Sequence, residues 1–516
     1  MVDFVVLVPA PELNRELFWE QVDPNLVYKD PVALARESVF GTVTPPINAI
    51  AVATEVARND FSVEIVDVAL EFGVPLTAAG IQDRYTATKQ LLQRLQPQHG
   101  VLITSLTARE HTALLGFARI VKEVDSDLPV ALGGYHANTI PDVFLRSEDV
   151  DLVLLGDFEP NAPTLLELMR KRRLRDVSVP NIMSKDSSGR PAPAKRVEVR
   201  DDSVMSRFDY GLASKYLGFY GMLGSVASKG CPFPCTFCQE RSLRTFFANE
   251  GTESAVGMAM DILDVYRSNT GHSDVGFYFM DALFGGRRGL IESFVDVILR
   301  NNWQFRWTFQ SRVDILEGCD FERLHEAGCY LIHLGLESFS PEMLVRMQKT
   351  RNPDRYLARF QEVIRKADAA GIEIEFNILF GAPGETRETL RETETGVLET
   401  LSTYPKSSVN LNLYRLFPET TAYSSAYRRE WGSDVLIPDW WLVGILPELT
   451  VTVLPSDQLG PQELLEFFTR MYESDACFRR RGDGQLAARC IDVGGFSTDD
   501  LAVIANGSRK AFCRAQ

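Results

Sequence analysis

Three cysteines stand close together in the stretch SKGCPFPCTFCQE: Cys231, Cys235 and Cys238. The other five, Cys319, Cys329, Cys477, Cys490 and Cys513, are scattered without a repeat. Three thiols in a C-x3-C-x2-C run read as metal-binding thiolates, with three unrelated core thiols as the bland alternative. Zinc closes its shell with four ligands, and neither a fourth Cys nor a nearby His follows Cys238. Iron–sulfur clusters also favour four thiolates, so three would leave one iron open to a substrate or cofactor. Pro232 and Pro234 stiffen the loop, which follows a strand-like stretch at 222–230.

The elements that must position this loop follow it in sequence. Strand-like runs at 275–280, 303–312, 330–338, 372–380 and 409–417 alternate with helical patterns at 252–268, 288–301, 320–327, 353–370 and 386–401. Such alternation predicts a parallel sheet or barrel. Within the strands one face is apolar and the other polar. Trp303, Phe305, Trp307 and Phe309 oppose Gln304, Arg306, Thr308, Gln310 and Arg312, and Ile374, Phe376 and Ile378 oppose Glu373, Glu375 and Asn377. A parallel strand covered on both sides should be apolar on both faces. The pattern therefore predicts strands around a polar lumen, with an antiparallel sheet having one wet face as the alternative. Sites in such barrels gather at the C-terminal strand ends, here Asp281, Arg312, Glu337, Gly381 and Tyr414.

With an aromatic residue, Phe237, before its last Cys, the thiolate run resembles that of the radical S-adenosylmethionine (SAM) enzymes. The resemblance covers 216–425 and implies a partial (β/α)6 TIM-type barrel. It implies that Cys231, Cys235 and Cys238 are catalytic and hold a [4Fe–4S] cluster, with SAM chelating the fourth iron. FQSRVD, LGLES and FNILFGAPGET resemble the family's third, fourth and fifth strand motifs. By that resemblance Arg312, Glu337 and Asn377 lie along SAM, and Gly381 to Gly384 let backbone approach the adenine. MDALFGG replaces the family's Gly-Gly-Glu run, which makes Asp281 the candidate for the methionyl amine; Phe237 is carried over as a cofactor neighbour.

Residues 1–170 read as a second α/β domain, Rossmann-like, with strands at 3–10, 62–69, 100–106, 128–134 and 150–156 and helices at 48–58, 82–95, 110–123 and 141–146. The carboxyl-edge loops, where open parallel sheets dock ligands, are 43–49, 104–110, 133–138 and 156–160. TSLT, a helix, LPVALGGYHAN and then VDLVLLGDFEP resemble the cobalamin-binding domain of B12-dependent radical SAM enzymes. That resemblance puts Thr104, Ser105, Leu106 and Thr107 beneath the corrin. It puts Gly133, Gly134 and His136 along the cleft for its nucleotide tail, and Gly156 and Glu159 at its closure. The D-x-H-x-x-G loop that supplies an axial His elsewhere is absent. His111 and His136 are the only histidines near these loops, and neither is expected on cobalt.

Residues 171–215 read as a linker whose RKRR run is a solvated helix end, and 426–516 as a small, mainly helical region. There 459–474 has amphipathic spacing that suits a lid or a packing element. Fifty-four Lys and Arg against 70 Asp and Glu give a net charge of −16, so no nucleic-acid partner is expected. There is no secretory signal pattern and no run of 18 apolar residues, so no membrane span is expected. Sparse cysteines point to a reducing, cytoplasmic setting.

The resemblances imply a C-methyltransferase acting on an unactivated carbon of a small molecule or natural-product intermediate. One SAM would methylate cob(I)alamin and a second would give the 5′-deoxyadenosyl radical. A reductant such as flavodoxin or ferredoxin would be a partner. The alternative is radical cyclisation, ring contraction or rearrangement on the same domains. A tRNA methylthiotransferase ranks lower, because residues 1–230 contain no Cys and the chain is acidic. A non-catalytic cobalamin sensor is disfavoured by the intact triad.

Overall fold

Two mainly parallel sheets organise the chain. The computed structural model describes residues 1–10, 12, 24–26, 44–73, 77–104, 107–200, 202–443, 450–472, 474, 478–480 and 486–488. The first sheet is built from Val2–Val8 (β1), Val63–Asp67 (β2), Pro97–Thr104 (β3), Val130–Gly133 (β4), Leu152–Leu154 (β5), Ile182–Lys185 (β6) and Pro191–Ala192 (β7), in the order β2-β1-β3-β4-β5-β6-β7. The first five strands are parallel, in the flavodoxin-like 2-1-3-4-5 version of the doubly wound sheet, whose ligand crevice lies where β1 and β3 diverge. Both faces are apolar, as a doubly covered parallel sheet requires. Val5, Ile103 and Leu132 pack under helices Ala78–Leu95 and His111–Val124. Phe4, Leu102 and Leu154 pack under Ile47–Arg58 and Ala162–Arg170.

Part of the stretch expected as a linker is sheet. β6 and β7 add to β5 antiparallel, with Ile182, Met183 and Ser184 buried. Strands of four and two residues leave too short a period to read from sequence. A 3-10 helix, Tyr210–Phe219, then stitches the domains together. The Tyr216 hydroxyl accepts from the Asp67 amide at 3.0 Å, and the Tyr210 hydroxyl donates to the Gly224 carbonyl at 2.6 Å.

The second sheet runs Met222–Ser225 (β8), then, after the short pair Ser228–Lys229 (β9) and Ala248–Asn249 (β10), Gly276–Phe279 (β11), Trp307–Arg312 (β12), Cys329–Glu337 (β13), Glu373–Phe380 (β14) and Ser408–Leu413 (β15). Its order is β8-β11-β12-β13-β14-β15, all parallel, and among the described residues nothing pairs β8 with β15. This is the parallel sheet that the strand–helix alternation predicts, open and six-stranded as the partial (β/α)6 barrel of the resemblance implies. The period-2 pattern is met. Trp307, Phe309, Leu334, Phe376 and Leu411 are buried under the helices, each contributing about 1.5–3 kcal/mol of transfer free energy. Gln310, His333, Glu375 and Asn377 stand half-buried on the other face.

The C-terminal region is more mixed than expected. Asp434–Val435 pairs with Val453–Leu454, Phe478–Arg480 pairs with Leu486–Ala488, and Pro461–Tyr472 is its longest described helix. That helix is a packing element: Phe467 and Phe468 lie 5.0 and 5.7 Å from the ring of Phe380. No described helix is long and apolar enough to cross a membrane.

Candidate active site

The thiolate loop is a closed excursion between β9 and β10, which pair antiparallel. Gly230 opens it at φ 87°, and a Cβ there would collide with the Phe246 carbonyl oxygen, so only glycine fits. Inside the loop the Thr236 amide donates to the Met347 carbonyl and the Thr236 carbonyl accepts from the Ala422 amide, both at 3.0 Å. Burial pushes the Cys231 and Cys238 thiols up, Cys238 to about 12, so they ionise when a metal takes the proton's place. Among the described residues no three His, Cys, Asp or Glu side chains close around one metal-ion position, the triad included. A cubane cluster binds each thiolate to a different iron and so needs no such common point.

Arg312 ties β12 to this loop. Its guanidinium lies 3.5 Å from the Cys235 sulfur and 3.7 Å from the centre of the Phe233 ring. Asp314 and the Lys349 carbonyl hold it, at 2.9 and 2.7 Å. The residue expected along SAM thus reaches the thiolate loop. Glu337 sits at a register shift of β13 with φ 79°. Its carboxylate pairs with Lys349 at 2.8 Å, over Gly335, where a Cβ would come within 2.9 Å of both charged groups. Asn377 lies level with Gly335 on β14.

Asp281 is fully buried. Its carboxylate accepts from the Ala227 amide at 3.1 Å and from the Ser228 hydroxyl, and burial pushes it up to about 7. It anchors the segment leading into Cys231 and presents no exposed surface to the lumen. Phe237 packs with Met343, Met347, Ala382 and Tyr414. Gly381 donates to the buried Glu385 carboxylate, which burial pushes up to about 8. In the lumen His333 and Glu375 are 2.7 Å apart, with the Tyr278 ring 5.0 Å from the imidazole.

A cleft of about 1220 Å³, its open mouth included, lies between the carboxyl edge of the first sheet and the thiolate loop. Thr104, Gly133, Gly134, Gly156 and Glu159 line one side, and Ser228, Lys229, Gly230 and Met280 the other. Thr104 accepts from the Asn48 amide at 2.8 Å, and a Cβ on Gly133 or Gly156 would meet open space. Thr107 caps the 3-10 turn Ala108–Glu110, while Ser105 and Leu106 lie outside the described residues. His136 is turned away from the cleft. It sits buried with a ring nitrogen 2.9 Å from His111 and its ring 5.8 Å from that of Trp441. Burial pushes the pair down, to about 4 for His111 and about 3 for His136.

Sequence reasoning missed Lys349, Glu385 and a buried ionic group of Tyr135, Asp157, Lys229, Glu240 and Arg244 that lines the cleft. Asp157 and Lys229 are 72 residues apart, and no spacing rule reaches that far. Only their positions beside the expected loops could have flagged them.

Residues 225–395 match the model of the Radical SAM superfamily. An uncharacterized methyltransferase of Pyrococcus horikoshii is 24% identical over 374 residues, which is 71% of this chain and 76% of that protein. Bacteriochlorophyllide d C-12(1)-methyltransferase of Chlorobaculum tepidum is 23% identical over 53% of this chain, which spans 57% of that relative. The solved structure of the radical S-adenosylmethionine methyltransferase TsrM from Kitasatospora setae, with tryptophan and a SAM analogue bound, has a TM-score of 0.64 at 14% identity. The match covers 92% of this chain and 90% of that one, a likeness of fold along nearly the whole length. The matched residues carry three cysteines on a pinned loop at the mouth of a parallel half barrel, so residues 225–395 form a radical SAM domain.

Proposed function

We propose that this chain is a cobalamin-dependent radical SAM enzyme that transfers a methyl group to an unactivated carbon of a small molecule. The observation that carries the reading is the shared chamber: one cleft is bordered both by the carboxyl-edge loops of the first sheet and by the segment entering the thiolate loop. A methyl donor on one wall and a radical source on the other would face the same substrate. The donor set suits a [4Fe–4S] cluster, because three thiols within one short loop leave one iron for SAM. The cleft suits a corrin, because its glycine-lined edge lies at the carboxyl ends of β4 and β5, the edge where open parallel sheets dock ligands.

When bound, the cluster supplies the electron that cleaves SAM and the corrin carries the methyl group. Cys231, Cys235 and Cys238 would each hold one iron. Arg312 would steady the loop and offset negative charge beside it. Glu337, oriented by Lys349, and Asn377 would border SAM, with the backbone of Gly381 to Gly384 at the adenine. Thr104, Gly133, Gly134 and Gly156 would border the corrin. His111 and His136 bond each other and do not line the cleft, so neither would be offered to cobalt. The polar lumen around His333 and Glu375 would seat a small polar substrate, and a flavodoxin or ferredoxin would be the electron donor. An RNA substrate fits poorly with a net charge of −16.

The test uses SAM with a deuterated methyl group on anaerobically reconstituted protein. Without substrate, S-adenosylhomocysteine should form only when hydroxocobalamin and a strong reductant are both present. With substrate, product should carry the labelled methyl, with S-adenosylhomocysteine and 5′-deoxyadenosine each forming once per product. Deoxyadenosine formation without S-adenosylhomocysteine or label would replace methyl transfer by radical rearrangement.

A further inference from the structure

Both ends of the thiolate loop are tied by charge to the loops that border the cleft. Lys229 directly precedes Gly230 and Cys231, while Glu240 and Arg244 follow Cys238. Asp157, in the loop after β5, takes Lys229 at 3.2 Å and Arg244 at 2.6 Å. Glu159 takes the same Lys229 at 2.9 Å and accepts from the Ser206 hydroxyl. Arg244 also reaches Glu240 at 3.1 Å and the Tyr135 hydroxyl at 3.3 Å, and Tyr135 donates to Glu240. The five charged side chains are at most 15% exposed. In a network this buried the members are strongly coupled, because removing one leaves its partners short of a counter-charge.

We infer that Asp157, Lys229 and Arg244 are positioning residues that couple the two cofactor sites, so that a filled thiolate loop tightens the cleft's hold on a corrin. The inference rests on the reading of the cleft as a corrin site. Metal on Cys231 and Cys238 fixes the backbone from which Lys229, Glu240 and Arg244 project. Those side chains in turn fix Asp157, whose neighbour Gly156 borders the cleft. The cost of ordering the Asp157 loop is met once, by whichever group binds first, and the second binds to a loop already ordered. Linkage makes the effect reciprocal.

The experiment titrates hydroxocobalamin into the full chain, anaerobically reconstituted or stripped of iron by chelation, and reads Kd from absorbance. The expected result is binding about 5- to 50-fold tighter with the cluster in place. In Arg244→Gln, and separately in the isosteric Asp157→Asn, that ratio should fall towards one. A merely structural role would weaken both forms alike and leave the ratio intact. Equal affinity with and without cluster in the unaltered protein overturns the coupling and spares the corrin reading. No binding in either form overturns both. A ratio that survives in both variants removes these residues from the role.

Discussion

Replacing Lys349 by methionine tests how the Glu337 carboxylate is held. The two groups are 2.8 Å apart, with side chains 5% and 12% exposed. At an effective dielectric of about 20, such a pair attracts by about 6 kcal/mol. Desolvating two ions costs several kcal/mol each, so the intact pair nets close to zero. Removing one partner is a different matter. Lys349→Met leaves a carboxylate buried on a strand end at φ 79° with its cation gone, and the expected loss is about 3–5 kcal/mol. The double variant Glu337→Gln/Lys349→Met removes both charges and should regain most of this, ending within about 1–2 kcal/mol of the parent. Urea unfolding of the cluster-free proteins, followed by tryptophan fluorescence, measures all four corners of the cycle. Trp307, buried on β12 beside β13, reports on the barrel. Equal losses in the single and double variants would show that the bulk of Lys349, not its charge, supports the site. A single variant that loses less than about 1 kcal/mol would show Glu337 to be satisfied by water.

Alanine at Cys231, Cys235 or Cys238 should abolish iron binding and SAM cleavage, whereas Cys319→Ala and Cys329→Ala should keep full iron, measured by iron and sulfide analysis after reconstitution. Burial also pushes the Cys319 thiol up to about 12, so it should resist iodoacetamide in the folded protein near neutral pH. The two domains should respond to pH in opposite senses. His111 and His136 stay neutral down to about 4 and about 3, while unfolded histidines charge near 6.5, so the N-terminal domain should lose stability as pH falls below about 6.5. Asp281 and Glu385 keep protons up to about 7 and about 8 that an unfolded chain releases near 4, so this contribution to the barrel is full below about pH 4 and lost as pH rises through those values. Hydrogen exchange, corrected for intrinsic rates, should show β4 deprotected on the acid side and β14 on the alkaline side; parallel behaviour would refute the assignment.

The barrel was the legible part of the fold, for a physical reason. Alternation along 372–380 marks both faces of β14 because period 2 survives over eight residues. The cysteine triad stood out in the sequence because its three thiols lie within one short loop. Ile182–Lys185 and Pro191–Ala192 were not, since strands so short carry no period, and they vanished into an expected linker. His136 was expected along the cleft from its GGYHAN loop. The chain turns into the short helix Tyr135–Thr139 at that point, and helical rotation swings the imidazole to His111. Arg312 and Asp281 were legible as strand-end residues but not in their partners. Whether a strand-end side chain turns to the lumen or to a neighbouring loop depends on contacts across 77 residues for Arg312 and 54 for Asp281.

The two edges of the first sheet carry a consequence for how the protein behaves in a crowded cell. An open seven-stranded sheet offers at each margin a row of unpaired N–H and C=O groups, a template on which a second chain can stack and aggregate. At one margin the Tyr216 hydroxyl takes the Asp67 amide at 3.0 Å and lies 3.3 Å from the Ile65 carbonyl, occupying groups that an incoming strand would need. At the other the last strand is two residues long and begins with Pro191, which has no N–H to give, and Pro193 follows directly. A tyrosine from the interdomain helix and a proline pair thus act as stoppers against edge-to-edge polymerisation.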